Sequence, residues 1–162
     1  MAVSAPHGPP VLVREATPAD LAAATELARA AGLPLDGLTE AALVLLAVAG
    51  GKVVGIIALE RHVGSDGEIA FLLRSAAVHP DQQRRGIGEE LTRAALKVVD
   101  GLKAPVGLLT ETAAGYFPRF GFVAVPRDDL PPALGASPEL QGACPATATV
   151  MLRTASSSAR PR

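Results

Sequence analysis

The chain has 162 residues, a length that suits one folded domain around one hydrophobic core. Hydrophobic residues make up 49% of the sequence but aromatic residues only 3%, so aliphatic side chains must build that core. The formal net charge of -1 argues against a protein that coats nucleic acid, because such proteins need a broad basic face.

The first half of the chain predicts a strand, a helix and a three-strand antiparallel meander. Thr17 and Pro18 suit the start of a helix, and Gly32 suits its end. Residues 43–59 are almost wholly apolar, but Gly50-Gly51-Lys52 interrupts them. A membrane helix needs about 20 unbroken apolar residues, so this stretch indicates two strands around a tight turn. The predicted strands of this half are 11–15, 43–49, 53–60 and 68–78.

The second half of the chain alternates helices and strands. Its predicted elements are a helix at 89–99, a strand at 106–110, a short helix between Thr112 and Gly121, a strand at 122–125, a short helix at 138–141 and a strand at 147–152. The order indicates an α+β domain with a mixed, mostly antiparallel central sheet of six to seven strands flanked by about four helices. We expect residues 1–153 to form a single domain and residues 154–162 to be a disordered tail.

A glycine- and arginine-rich loop connects the strand ending at Val78 to the helix that follows. Backbone N–H groups at a helix N-terminus are unpaired and bind anions, and the helix dipole adds to this effect. Gly86 and Gly88 allow a phosphate to approach the backbone, while Arg84 and Arg85 add positive charge. The loop therefore predicts a pyrophosphate site.

Two common phosphate-binding motifs are absent from the sequence. A mononucleotide P-loop needs Gly-x4-Gly-Lys, but position 46, ahead of Gly51-Lys52, is Leu46. A dinucleotide fingerprint needs a third glycine, and Leu91 occupies that position after Gly86-x-Gly88.

The motif that does fit is Gln83-x-x-Gly86-x-Gly88, which resembles the acetyl-CoA signature of the GNAT acetyltransferase superfamily. Residues 76–80 are similar to that family's fourth strand, and Phe120-Gly121-Phe122 resembles its closing Gly-Phe. The resemblance covers residues 11–152. It implies the GNAT acyl-CoA N-acyltransferase fold and an N-acetyltransferase that uses acetyl-CoA as its cosubstrate.

The resemblance also implies roles for the loop. The carbonyl and N–H of Val78 would pair with the pantetheine arm as a neighbouring strand does. The pyrophosphate would be held by the backbone amides of Gln83, Arg84, Arg85, Gly86, Ile87, Gly88 and Glu89. The alternative is a solvated basic turn that only caps the helix.

Other segments narrow the resemblance. Residues 72–75, residues 109–122 and the tail from Leu130 through Ala146 are similar to the arsenic-resistance N-acetyltransferase branch. The C-terminal segments also resemble the acetyltransferase domain of N-acetylglutamate synthases. Both branches are associated with amino-acid-like amines, which implies a small-molecule amine as the acceptor.

Direct attack of the amine on acetyl-CoA is the expected mechanism, because Cys144 lies far from the cofactor loop in sequence. Many GNAT enzymes protonate the leaving thiolate with a tyrosine four residues before the closing glycine. Phe117 occupies that position here, and Tyr116 precedes it. Tyr116 is therefore a candidate acid, with a packing role or protonation by water as the alternatives.

The base is open at the level of sequence. Glu111 is the preferred candidate because it ends a strand at the expected cleft; Glu60, Glu68 and His79 are candidates by type, and water is another.

Arg74 interrupts an apolar strand and is a candidate for gripping a substrate carboxylate, with an ion pair to Glu60 or Glu68 as the alternative. Thr110 is a further candidate for binding the substrate.

Three functional hypotheses remain: an enzyme acetylating a small amine, a protein or peptide N-acetyltransferase, and a non-catalytic acetyl-CoA-binding module.

No metal site is expected, because the histidines and Cys144 lack ligand spacing. Neither nucleic acid nor a membrane is an expected partner, although an exposed strand edge would suit a homodimer. A single cysteine and the absence of a visible signal peptide predict a cytoplasmic protein.

Overall fold

A seven-stranded mixed sheet forms the centre of the computed structural model, which describes residues 9–154. The strands follow the spatial order β1-β2-β3-β4-β5-β7-β6. They are β1 (Val11–Glu15), β2 (Leu43–Ala49), β3 (Lys52–Val63), β4 (Ile69–Val78), β5 (Val106–Thr110), β6 (Val123–Ala124) and β7 (Thr149–Arg153), and the helices are α1 (Leu21–Ala30) and α2 (Ile87–Leu102). The tail expected at 154–162 lies outside the described residues except for Thr154.

Strands β2 to β4 form the predicted three-strand antiparallel meander, and β1 pairs antiparallel with β2 at its edge. The apolar stretch divides into β2 and β3 at Gly50 and Gly51, whose φ angles of 58° and 79° suit a two-residue hairpin turn. Strand β3 continues to Val63, beyond the predicted end at residue 60. No helix within residues 9–154 is long and apolar enough to cross a membrane.

The two helices cover opposite faces of the sheet. Side chains alternate along a strand, so Leu46 packs with Ala24 and Ala28 of α1, whereas Leu45 joins the core beneath Leu91 of α2. A third cluster on the α1 face extends the core under the C-terminal segment; it contains Ala70, Leu72, Leu130, Leu134 and Val150.

The fold class is confirmed, but the prediction of about four helices is wrong. Residues 9–154 form two α-helices, and the segments expected as further short helices are 3-10 turns at Phe117–Phe120 and Pro138–Gln141. Each turn has four residues, with a proline at its first or second position. Such segments are too short to build the successive i to i−4 hydrogen bonds of an α-helix.

Candidate active site

A cleft opens where β4 and β5 separate. These parallel strands pair at Phe71 with Val106 and at Leu72 with Gly107. Beyond these pairs, residues of both strands line a cleft of about 710 Å³. It extends from Gly88, in the first turn of α2, to Arg74 on β4. Crevices at the carboxyl ends of parallel strands commonly bind ligands, and this one accommodates an elongated molecule.

A β-bulge shapes the middle of β4. The register with β3 shifts between the pairs Ile56 with Ala77 and Ala58 with Arg74. Ser75 has a φ of 60°, in the left-handed region that residues with a Cβ rarely adopt. The bulge lets β4 diverge from β5, and strained backbone of this kind often occurs at functional sites.

Val78 presents its backbone polar groups to the cleft. The N–H of His79 donates to the carbonyl of Val54, so Val78 opposite Gly55 is a non-hydrogen-bonded pair whose N–H and C=O point away from β3. The Gln83 side-chain amide donates to the Val78 carbonyl at 3.1 Å. A carbonyl has two lone pairs, so one acceptor site on Val78 remains for a ligand.

The predicted phosphate loop lies at the N-terminus of α2. Gly86, with a φ of 79°, precedes the helix, and the first N–H groups of the helix have no intrahelical acceptors. Arg85 donates to the Gln82 side chain and to the Pro9 carbonyl. Glu89 pairs with Arg93 in the next turn at 2.8 Å. Arg84 is exposed and has no ion pair or hydrogen bond within residues 9–154, so its charge is available to an anion.

Tyr116 places its hydroxyl inside the cleft. The hydroxyl oxygen is buried and has no hydrogen-bond partner within residues 9–154. A methyl group on Gly88 would lie 3.7 Å from it, so the hydroxyl faces the first turn of α2. The Arg119 guanidinium lies 4.6 Å from the ring centroid and fixes the ring from outside. Phe117 is buried in the aromatic group with Tyr116 and Phe120. A buried hydroxyl without a partner is costly, and a ligand in the cleft would supply one.

Arg74 is held by the protein itself. Its fully buried guanidinium pairs with Glu60 at 2.6 Å and with Glu139 at 3.3 Å. It also donates to the carbonyls of Pro34 and Asp36 and to the Ser75 hydroxyl. Four of its five N–H groups therefore have partners among the described residues.

The strand-end candidates lie at the mouth of the cleft. Glu111 lines the cleft but is exposed to solvent. The Thr110 hydroxyl accepts a hydrogen bond from the N–H of Ala113 at 3.0 Å, so it caps this turn and keeps only its own proton to donate. Glu68 is exposed and is not among the cleft-lining residues.

Glu139 is a cleft residue that sequence reasoning missed. It lies in the 3-10 turn Pro138–Gln141, its side chain is 4% exposed, and it lines the cleft beside Arg74. Burial raises its pKa, which the Arg74 charge opposes. Cys144 donates its S–H to Glu139 at 3.4 Å. Desolvation, followed by the Glu139 charge, raises the pKa of this thiol to about 12, so the thiol is protonated and unsuited to nucleophilic attack.

Two parallel strands that separate within the sheet, with a helix N-terminus at the opening between them, define a site for an extended ligand with a phosphate-bearing end. The family model of the acetyltransferase (GNAT) domain matches residues 40–124, and the chain belongs to this family. It is an acetyl-CoA-dependent acetyltransferase. No curated protein matches the chain in sequence.

Solved structures share the fold. A Mycobacterium tuberculosis protein in complex with CoA is 25% identical, with a TM-score of 0.68 over 88% of this chain and 98% of its own. Neisseria gonorrhoeae N-acetylglutamate synthase, in complex with CoA and N-acetyl-glutamate, is 20% identical with a TM-score of 0.72 over 90% of this chain. The chain spans about a third (35%) of that synthase. Arabidopsis thaliana Naa50, in complex with a CoA-peptide bisubstrate analogue, is 17% identical with a TM-score of 0.69 over 89% of this chain and 98% of its own.

The residues of the cleft fit acetyl-CoA. The free amides of the first α2 turn suit a pyrophosphate, and the outward N–H and C=O of Val78 suit an amide-bearing arm. The unpartnered Tyr116 hydroxyl lies in the same cleft. Residues 9–154 contain no group of three or more His, Cys, Asp or Glu side chains placed to hold a metal ion.

Proposed function

We propose that the protein acetylates the amine of a small, amino-acid-like molecule by direct attack of that amine. The observation that carries this proposal is the single cleft joining the phosphate loop at Gly88 to the polar group around Arg74 and Glu139. The first half suits acetyl-CoA, and the second half has room and polar groups for a small acceptor.

The amino-acid character of the acceptor rests on resemblance. Residues 72–75, 109–122 and the C-terminal segments are similar to the arsenic-resistance branch and to N-acetylglutamate synthases. The Neisseria synthase was solved with N-acetyl-glutamate, which supports a glutamate-like acceptor. In this proposal the remaining N–H of Arg74 and the hydroxyl proton of Thr110 bind polar groups of the acceptor.

The protein contributes positioning and proton transfer. Acetyl-CoA supplies an acetyl group activated as a thioester. Val78 and the amides from Gln83 to Glu89 orient the donor, and Tyr116 gives its hydroxyl proton to the leaving thiolate. Direct attack is favoured over a covalent intermediate because the Cys144 thiol is protonated, with a pKa of about 12.

The test combines binding with turnover. Calorimetric titration with acetyl-CoA is followed by measurement of free CoA released with L-glutamate, L-glutamine, arsenic- and phosphorus-containing glutamate analogues, n-butylamine and a pentapeptide with a free N-terminus. We expect binding, and CoA release with at least one amino acid or analogue. Release only with the pentapeptide would indicate a peptide acetyltransferase. Binding without turnover would indicate a non-catalytic module, and absence of binding would overturn the proposed acetyl-CoA site.

A further inference from the structure

A buried charge cluster closes the end of the cleft opposite the phosphate loop. One guanidinium, that of Arg74, lies between the carboxylates of Glu60 and Glu139. Both carboxylates are almost fully buried, but only Glu139 is among the residues that line the cleft. The two acids therefore differ in role: Glu60 is enclosed by protein, whereas Glu139 is open to a bound molecule.

The cluster lacks one positive charge. Two carboxylates against one guanidinium leave a net charge of -1 in a place with little solvent. His62, 2.8 Å from Glu60 on the side away from Arg74, adds a positive charge only when protonated. The Cys144 thiol, which is protonated, also contacts Glu139, and Glu111 lines the same cleft at its mouth. Buried charge is costly unless compensated, so a cation entering the cleft beside Glu139 would be stabilised.

A second feature of the same cleft also indicates a ligand. The Tyr116 hydroxyl is buried, has no hydrogen-bond partner in the described part of the chain and lies beside the first turn of α2. The cleft thus has an unused acid group on the donor side and an uncompensated carboxylate on the acceptor side.

We propose that Glu139 binds the ammonium group of the acceptor and is the base that takes its proton. This inference rests on the proposed function, since it assigns the acceptor half of the same cleft. It replaces the strand-end candidate Glu111, whose side chain is exposed to solvent. It also predicts the substrate class: acceptors enter as cations, and an uncharged isostere of the amine binds poorly.

The surroundings of Glu139 suit a base. Burial raises its pKa, and the negative charge of Glu60 raises it further, while Arg74 and the Cys144 thiol oppose the shift. A carboxyl group with a raised pKa is a stronger base toward an ammonium ion than an exposed one. Arg74 keeps the carboxylate in place, and the Ser137 hydroxyl fixes the turn by accepting from the Glu139 N–H.

The protons balance in three steps. The ammonium gives one proton to the Glu139 carboxylate, and the resulting amine forms a C–N bond to the acetyl carbonyl carbon. As the C–S bond breaks, the leaving thiolate takes the proton of the Tyr116 hydroxyl. The nitrogen loses its second proton, which returns to the Tyr116 oxygen. Glu139 releases its proton to solvent after the products leave.

The first experiment compares pH profiles of kcat/KM for wild type, Glu139→Gln and Glu60→Gln, using the best acceptor of the amine panel. The matched control Glu60→Gln removes the same charge from the same guanidinium without altering the cleft lining. We expect Glu139→Gln to lower kcat/KM about 100-fold at pH 7. The kcat/KM of this variant should then rise about tenfold per pH unit up to pH 9, because without the base only the unprotonated amine reacts. Glu60→Gln should keep a flat profile, with its acidic limb moved to lower pH.

The proposal is overturned if Glu139→Gln keeps the wild-type rate and profile, or if the tenfold slope arises in Glu111→Gln instead. A binding measurement needs no turnover: with CoA present, n-butylamine and 1-butanol are titrated into wild type and Glu139→Gln by NMR. Wild type should prefer the ammonium at least tenfold, and the variant should lose that preference. Equal affinities in wild type would refute the ammonium site. Loss of acetyl-CoA binding by wild type would instead refute the proposed function.

Discussion

The guanidinium of Arg74 lies 2.6 Å from the carboxylate of Glu60, across the β4 and β3 pairing. The same guanidinium donates to the carbonyls of Pro34 and Asp36, in the loop that follows α1. One side chain therefore joins the sheet, the α1 loop and the Glu139 turn. Its interior position explains a charged residue within an apolar strand, and it makes Arg74 a clamp of the fold as well as a wall of the cleft.

Replacement of Arg74 by methionine should destabilise the protein by about 3–5 kcal/mol, because Glu60 and Glu139 would remain buried without their counter-charge. Urea unfolding measures this change. The matched control is Arg29→Met, which breaks the exposed pair with Glu26 and should change stability by less than about 0.5 kcal/mol. Similar losses of unfolding free energy in both variants would contradict the proposed role of Arg74 in holding the fold together.

Glu139 should make stability depend on pH in an identifiable direction. The pKa of Glu139 is raised in the folded protein, above all by burial. Its contribution to the free energy of unfolding is therefore fully present below the pKa it has in the unfolded chain and is lost as pH rises through the folded-state pKa. Relative to Glu139→Gln, wild type should lose stability from about pH 4.5 upward. Asp20, whose pKa is lowered chiefly by its hydrogen bond from Arg14, acts oppositely, but it does so in both proteins and cancels.

Urea unfolding of wild type and Glu139→Gln at pH 4.5 and pH 7.5 measures this dependence. The stability of the variant relative to wild type should increase between the two values. An unchanged difference would show that the environment of Glu139 does not favour its protonated form.

Cys144 should react slowly with iodoacetamide. Its pKa of about 12, due to desolvation and then to Glu139, leaves little thiolate at pH 8. The higher nucleophilicity of a more basic thiolate offsets part of this loss, so alkylation should be about 10- to 100-fold slower than for a small peptide thiol. Since Cys144 is the only cysteine, mass spectrometry follows the reaction directly. Glu139→Gln should accelerate the alkylation of Cys144. If Cys144 of wild type reacted as fast as a small peptide thiol, the contact between Cys144 and Glu139 would be contradicted.

The acetyl-CoA site can be tested with two glycines of α2. An alanine methyl at Gly88 would meet nothing closer than 3.7 Å, but it would project toward Tyr116 and Val78, which both line the cleft. We expect Gly88→Ala to weaken acetyl-CoA binding at least about tenfold, or about 1.4 kcal/mol, without loss of stability. Gly101→Ala, in open space on the same helix, is the control and should bind normally. Calorimetry and thermal unfolding measure both variants.

The sequence predicted local features better than long-range ones. The Gln83-to-Gly88 loop is contiguous, and a strand, a glycine loop and a helix must follow one another for it to bind phosphate. The proximity of Glu139 to Arg74 depends instead on how distant segments pack, and no spacing in the sequence encodes it. The sequence predicts a short helix between Thr112 and Gly121 and places its end at Gly121, where φ is 97°. Only the 3-10 turn Phe117–Phe120 forms, because the residues after Thr112 fold into turns that no local pattern distinguishes from a helical start.

Tyr116→Phe separates the catalytic role of the hydroxyl from its packing role. The ring packs against Phe117 and Phe120 and would remain, so the variant should fold with unchanged or slightly higher stability, because a buried hydroxyl without a partner is removed. If the hydroxyl protonates the thiolate, kcat should fall about 10- to 100-fold while the acetyl-CoA dissociation constant stays the same. The deficit should shrink with a donor whose leaving thiol is more acidic, since such a thiolate departs without a proton. An unchanged kcat would leave Tyr116 a packing residue and would indicate that water protonates the thiolate.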